Sequence, residues 1–238
     1  MRHTILFVAA LCTSLSGCGG GEPPSKSADD ATHDESPRRS SGNLPDVSAE
    51  IGALDKAEVI KTFEAALPDM QACMNAGAKR VEFLGGNVEF NLKVDQRGAL
   101  AEAFIERTTL GDRDTEKCLL SVLAKRTWPS PQGGVHGLAQ KGLDFDMIND
   151  VRPPVMWDAE RVRETLDGLA DKISECKSGG AGTLSVTMYI GTGGDALGVG
   201  LAQSSAADST AADCVVDLLR AAKFPSPGSW PAKVSFDL

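Results

Sequence analysis

Residues 55–73, DKAEVIKTFEAALPDMQAC, return in altered form as residues 158–176, DAERVRETLDGLADKISEC, and this repetition decides the fold. The two copies share few identical residues, but their apolar positions coincide at an offset of 103 residues. Apolar residues in each copy follow one another at steps of four, three, four and three, which is typical of an amphipathic helix with one buried face. An aspartate precedes each stripe as a candidate N-cap, and a cysteine ends it. We therefore predict an internal duplication.

A strand pattern follows each helix and repeats at an offset of 96 residues. Apolar residues alternate with polar ones there, which predicts a strand with one buried face. Gly98 and Gly194 then mark a tight turn, so a hairpin is expected in each copy. The alternating residues are Val88, Phe90, Leu92 and Val94 in the first copy and Leu184, Val186, Met188 and Ile190 in the second.

A second helix with its own cysteine and a short closing strand complete each copy. In the first copy the helix is predicted at residues 116–126 and is ended by the prolines of residues 128–131, which residues 224–227 match. Closing strands are expected at 143–145 and 234–236. The predicted fold class is α+β, with two tandem modules that each run helix, hairpin, helix and strand and pack both helices on one sheet face.

The first 18 residues indicate an export signal. A short positive start is followed by an apolar run, residues 5–11, that is too short to span a bilayer. Leu15, Ser16 and Gly17 then precede Cys18, and this tetrapeptide resembles the bacterial lipobox, whose cysteine is diacylated and becomes the mature N-terminus. An ordinary signal peptide cut elsewhere is the alternative. We expect lipid on Cys18 to hold the protein at a membrane.

The remaining chain divides by composition into a tether and two modules. Residues 19–50 are rich in Gly, Ser, Pro and Asp and lack the apolar side chains needed to offset the entropy of ordering, so we expect a flexible tether. The modules are predicted at 53–150 and 155–238, with a proline-stiffened joint between them. No later stretch approaches the roughly 18 apolar residues of a membrane-spanning helix.

Four cysteines remain once Cys12 leaves with the signal and Cys18 carries lipid. An even number at repeated positions in an exported protein indicates disulfides. Of the three possible pairings, the duplication favours the two within modules. Buried free thiols are one alternative, and a four-cysteine zinc site is another, although the closely spaced ligand pairs of structural zinc sites are missing. The four are Cys73 and Cys118 in the first module and Cys176 and Cys214 in the second.

The residues that usually perform catalysis are scarce. Of three histidines only His136 lies in predicted folded sequence, in a glycine-rich loop, and no Ser–His–Asp or Cys–His set can be assembled around it. We therefore predict no catalytic residue, no metal site and no cofactor. The net charge of −9 argues against a nucleic-acid partner, which requires clustered Lys and Arg.

The order of these elements resembles the AgmX/PglI C-terminal domain family of myxobacterial envelope proteins, a group similar to the TonB C-terminal domain. The resemblance covers nearly all of residues 53–238. The chain departs from the family at Met74 and Lys177, where an aromatic residue often follows the first cysteine. The residues that carry the resemblance are Cys73, residues 86–90, Gly98, Cys118 and residues 128–131, with their counterparts Cys176, residues 184–186, Gly194, Cys214 and residues 224–227.

The resemblance implies a non-enzymatic protein that binds protein partners, often by adding a strand to an exposed sheet edge. We expect a membrane-anchored lipoprotein that acts as a protein-interaction or scaffold element in the bacterial cell envelope. Its expected place is the periplasmic side, at the outer rather than the inner membrane. Force transduction of the TonB kind is not expected from a lipid anchor. The alternative is an envelope module that binds peptidoglycan or another glycan.

Overall fold

The computed structural model describes residues 49–238, which belong to one compact α+β unit. This part of the chain contains five α-helices and two four-stranded mixed sheets. The predicted signal peptide of residues 1–18, the lipidation residue Cys18 and nearly all of the tether lie outside the described residues. Among residues 49–238, no helix has the length and hydropathy needed to cross a membrane.

The first module holds six elements. Its sheet has the order β1-β4-β2-β3, in which β2 is antiparallel to both neighbours and β1 is parallel to β4. The elements are β1 (Ala49–Gly52), α1 (Lys56–Ala78), β2 (Gly86–Asp95), β3 (Leu100–Thr108), α2 (Arg113–Ala124) and β4 (Gly134–Phe145).

The second module repeats this topology. Its sheet has the order β5-β8-β6-β7, again with a short parallel strand beside the last strand. Two 3-10 turns, Ala159–Val162 and Ala206–Asp208, precede helices. The other elements are β5 (Val155–Trp157), α3 (Arg163–Asp167), α4 (Ala170–Cys176), β6 (Leu184–Ile190), β7 (Ala196–Gln203), α5 (Ser209–Arg220) and β8 (Ala232–Asp237).

Helix α1 follows the predicted stripe closely. The Asp55 carboxylate accepts hydrogen bonds from the amides of Ala57 and Glu58 at 2.9 and 3.1 Å, which caps the helix as expected. Pro68 lies inside α1 at an exposed position, and the helix continues through it to Ala78. The stripe that faces the sheet consists of Phe63, Ala66, Met70 and Cys73, all buried.

The matching helix of the second module is broken, which corrects the prediction of one helix over 158–176. A 3-10 turn leads into two short helices, α3 and α4, and Gly168 lies between them. Glycine inside a helix costs about 1 kcal/mol relative to alanine. Leu166 and Leu169 are only half-buried and so offset little of that cost, and Asp158 makes no capping hydrogen bond.

The last strand of the first module is far longer than predicted. β4 begins at Gly134 rather than near Leu143, because it pairs with β2 from Gly86 opposite Phe145 to Asp95 opposite His136, and Gly134 pairs with Ala49 of β1. His136 therefore lies in a strand and not in the expected loop. The glycines of β4 have low strand propensity, so the local sequence hides a strand that cross-strand pairing creates. The short strands β1 and β5 were not predicted.

Disulfides join the helices of each module. Cys73 pairs with Cys118 between α1 and α2, and Cys176 pairs with Cys214 between α4 and α5. These are the two pairings within modules that the duplication favours. The free-thiol and zinc alternatives do not describe these four residues in this structure.

Candidate functional site

A groove opens between α1 and the outer edge of β4 in the first module. Its volume is about 550 Å³, and we call it the edge groove. Val59, Ile60 and Phe63 of α1 form one wall, and residues 138–141 of β4 form the other. Residues 51–54, at the end of β1 and just beyond it, close one end.

The outer edge of β4 is free along the edge groove. β1 pairs with β4 only at the start of β4, as far as Gly137. Between Leu138 and Phe145 no strand of the described chain pairs with this edge, while β2 occupies the other side throughout. Every second residue of such an edge directs its N–H and C=O groups outward. The free stretch is therefore a template on which another strand can pair.

Exposed apolar side chains surround the free edge. Leu138 is 60% exposed, Ile60 49% and Ile51 46%, and all three line the edge groove. They are among the most exposed large apolar residues from residue 49 onward. Clustered exposed apolar groups mark interaction sites more often than scattered ones do. The edge groove therefore combines apolar surface with unpaired backbone.

The charge of the edge groove is opposite to that of the chain. Lys56 and Lys141 line it, and no carboxylate does. Within residues 49–238 neither lysine forms an ion pair. The whole chain carries a net charge of −9, so this groove is a local positive site on an acidic protein.

Glycines allow the end of β1 to approach the start of β4 closely. A Cβ added to Gly134 would lie 2.2 Å from the Gly52 nitrogen, so the two backbones approach more closely than any side chain allows. Ala53 and Gln132 exchange backbone hydrogen bonds of 3.0 and 2.8 Å beside this contact. The Leu54 side chain covers Gly137, and the chain then turns into α1 and leaves the rest of β4 uncovered.

His136 and the metal-ligating residue types are the first candidates for catalytic groups among the described residues. The Nδ1 atom of His136 is buried without a hydrogen-bond partner there. No group of three or more His, Cys, Asp or Glu residues within 49–238 is placed to hold a metal ion. The edge groove contains aliphatic groups, one aromatic ring, Gln140 and two lysines.

No family model, curated protein or solved structure matches this chain.

The second module has a cavity of about 680 Å³ in the corresponding place, since Ala159, Arg163 and Leu166 match three residues of α1 that line the edge groove. It lies between α3, α4 and the end of β8, where β5 pairs no further than Val234. Arg163 and Lys177 line it together with Asp167 and Asp237, so its charges balance. β8 is unpaired on this side only from Ser235 to Asp237, so its free edge is much shorter than that of β4.

The outer edge of β7, by contrast, is closed by the first module. Glu116 of α2 accepts a hydrogen bond from the Leu201 amide at 3.0 Å, and Arg113 donates to the Leu201 carbonyl at 3.5 Å. Arg113 also bonds Asp213 at 3.0 Å. Two side chains thus bond the outward N–H and C=O groups of Leu201, and the sequence gives no local signal of it.

This contact shifts the pKa values of Glu116 and Asp213 in opposite directions. Glu116 is fully buried, and burial raises its pKa to about 7, although the Leu201 amide and Arg113 act in the other direction. For Asp213, burial alone would raise the pKa, but hydrogen bonds from Lys117 and Arg113 outweigh it and lower the pKa. Arg113 is therefore paired chiefly with Asp213.

The outer face of β6 also packs against the first module. The hydroxyl of Tyr189 is shared between the carbonyl oxygens of Phe83 and Gly85, at 3.1 and 3.3 Å. Lys233 of β8 donates to the Gly85 carbonyl at 2.9 Å, and burial lowers its pKa to about 8. Tyr189 and Ala202 are part of the first module's hydrophobic core. The two modules thus share packing, and the long free stretch on β4 belongs to the first.

Proposed function

We propose that this protein is a non-enzymatic interaction element of the bacterial cell envelope, which binds an extended segment of a partner protein as an added strand on β4. The observation that carries the proposal is the free edge from Leu138 to Phe145 beside the apolar edge groove. Backbone hydrogen bonds supply affinity in such complexes, and alternate side chains that enter a groove supply specificity.

The repeated layout supports a relation to the TonB C-terminal domain at the level of the fold. Each module runs helix, hairpin, helix and strand after a short leading strand, and each has a disulfide between its helices. In the proposed picture both modules belong to the AgmX/PglI group. The second module packs against the first. Glu116 of α2 bonds the Leu201 amide of β7, and Tyr189 and Ala202 lie in the first module's core.

Lipid on Cys18 would hold the protein at the periplasmic side of a membrane, with the outer membrane favoured. The motivation is the lipobox-like sequence Leu15-Ser16-Gly17-Cys18. Growth with labelled palmitate should label the wild-type protein, and Cys18→Ser should abolish the label and release the protein from the membrane fraction. Equal labelling of the wild type and the variant would rule out acylation at this residue.

A photocrosslinking amino acid tests the proposed binding site in living cells. Placed at Leu138, in the edge groove, it should give a discrete adduct with one envelope protein. Placed at Lys172, which is exposed on α4 in the second module, it should not. Identical adduct patterns from both positions would contradict a binding site at β4.

Co-sedimentation with purified cell wall tests the alternative function. Co-sedimentation that is unchanged by Leu138→Lys would favour a peptidoglycan-binding module instead.

A further inference from the structure

The duplicated modules differ at the last strand, in the residues that face the helices. Positions match through their partners on β2 and β6, which correspond at the offset of 96 residues. At each of three matched positions the first module has the smaller or more polar side chain. The pairs are Gly137 and Ala232, Ala139 and Val234, and Lys141 and Phe236.

These three differences change the lining of the space beside the last strand. In the second module Val234 is fully buried and Phe236 is 9% exposed, so both pack into the core. In the first module the corresponding space is part of the edge groove, between Ala139 on the strand and Ile60 and Phe63 on α1. An unfilled apolar space forfeits packing energy, so it is a cost that a bound side chain can recover.

Lys141 adds a charge to the wall of this space. Its side chain is half-buried on the helix-facing side of β4, where Phe236 stands in the other module. Lys141 has no carboxylate partner in the described part of the chain. A partly desolvated ammonium group beside aliphatic side chains gains most from a carboxylate brought by a ligand.

We propose that the edge groove selects an extended segment that carries a bulky aliphatic residue and, two residues away, an aspartate or glutamate. This inference rests on the proposed function and names the chemistry of its ligand. The aliphatic side chain lies over Ala139 and the carboxylate pairs with Lys141, because alternate residues of a paired strand face the same side. The second module has Phe236 at the position of Lys141, and two aspartates line its cavity beside Arg163 and Lys177. We therefore expect no such preference for a carboxylate there.

Synthetic peptides with the full chain test this selection. The probes are labelled Thr-Thr-Ile-Thr-Asp-Thr-Thr and its reverse, Thr-Thr-Asp-Thr-Ile-Thr-Thr, which distinguish the two strand directions. Binding is followed by fluorescence anisotropy. At least one probe should bind about five- to tenfold more tightly than its Asp→Asn counterpart, as expected for one partly buried ion pair.

Variants of the protein link that preference to the two residues. Lys141→Glu should remove the preference for Asp and create one for a peptide with Lys at that position. Ala139→Leu should fill the space and weaken binding of every Ile-containing probe. Lys172→Glu, exposed on α4 in the second module, makes the same charge change and should leave binding unaltered. Lys141→Gln is a milder second variant, and circular dichroism verifies that each variant is folded.

The outcomes separate this inference from the proposed function. Equal affinity for the Asp and Asn probes, or an unchanged preference in a folded Lys141→Glu variant, overturns the ligand chemistry. If that happens while the Leu138 crosslink still forms, strand binding at β4 stands and only its selectivity is wrong. If neither the probes bind nor the crosslink forms, both proposals fail.

Discussion

Glu116 is the residue whose protonation most directly affects the contact between the two modules. It is fully buried, one carboxyl oxygen bonds the Leu201 amide, and the other has no partner in the described chain. A buried carboxylate with one unpaired oxygen is costly, so the protonated form is favoured in the fold. Its pKa of about 7 follows from this burial.

Glu116 should make the protein less stable as the pH rises. The pKa of about 7 in the fold lies above the ordinary value of 4.5, so its stabilising contribution is complete below about pH 4.5 and is lost as the pH rises through about 7. Glu116→Gln keeps an oxygen for the Leu201 amide and should remove that loss. Urea unfolding of both proteins at about pH 5 and about pH 8 measures it.

The matched control for this experiment is Glu64→Gln, an exposed residue on α1. It should leave the pH dependence of the wild type unchanged. If Glu116→Gln loses as much stability between the two pH values as the wild type does, the assignment to this carboxyl is wrong.

At the scale of elements, the two disulfides stabilise helices of very different strength. Helix α1 has 23 residues and a buried stripe, whereas α4 has seven residues and buries only Ile173. A helix as short as α4 is marginal without tertiary support, and its disulfide to α5 supplies a large share of that support.

Removal of each disulfide should therefore have different local consequences. Cys176→Ser with Cys214→Ser should expose the amides of α4 to rapid hydrogen exchange, because little other packing holds it. Cys73→Ser with Cys118→Ser should lower the free energy of unfolding by about 3–4 kcal/mol while α1 stays protected in the native state. Equal protection of α4 with and without its disulfide would contradict this argument.

Both disulfides also predict that no free thiol from these four cysteines is titrated in the unreduced, denatured protein that lacks its signal. Titration of four thiols would show that the bonds do not form.

At the scale of the whole molecule, the second module behaves as part of the first module's packing. β7 passes so close to α2 that a Cβ on Gly200 would lie 2.3 Å from Glu116 and 2.7 Å from the Asp112 nitrogen. Tyr189 and Ala202 extend the first core. We therefore expect residues 49–238 to unfold in one cooperative transition.

A bulky side chain at position 200 should separate the unfolding of the two modules. Gly200→Val places atoms against the Asp112 backbone, so calorimetry should show a lower melting temperature and two separate transitions. Gly142→Val is the matched control, since a Cβ there meets nothing within 4 Å. A single transition at the wild-type temperature in the Gly200 variant would mean that the modules unfold together without this contact.

The sequence determined the parts of this protein that local physics controls. The period-two alternation predicted β2 and β6. Gly98 and Gly194 have the positive φ values of 76° and 85° that their turns require. The duplication indicated both disulfide pairs. Each of these signals depends on neighbours in the chain or on the repeat itself.

The tertiary structure alone decided where the sheet edges are free. β4 is long because β2 is long, β1 stops at a contact between Gly52 and Gly134, and β7 is closed by Arg113 and Glu116 from another module. All of these depend on residues far apart in the chain, whose contacts no local pattern encodes. The candidate binding edge is therefore a property of the assembled modules rather than of any one segment.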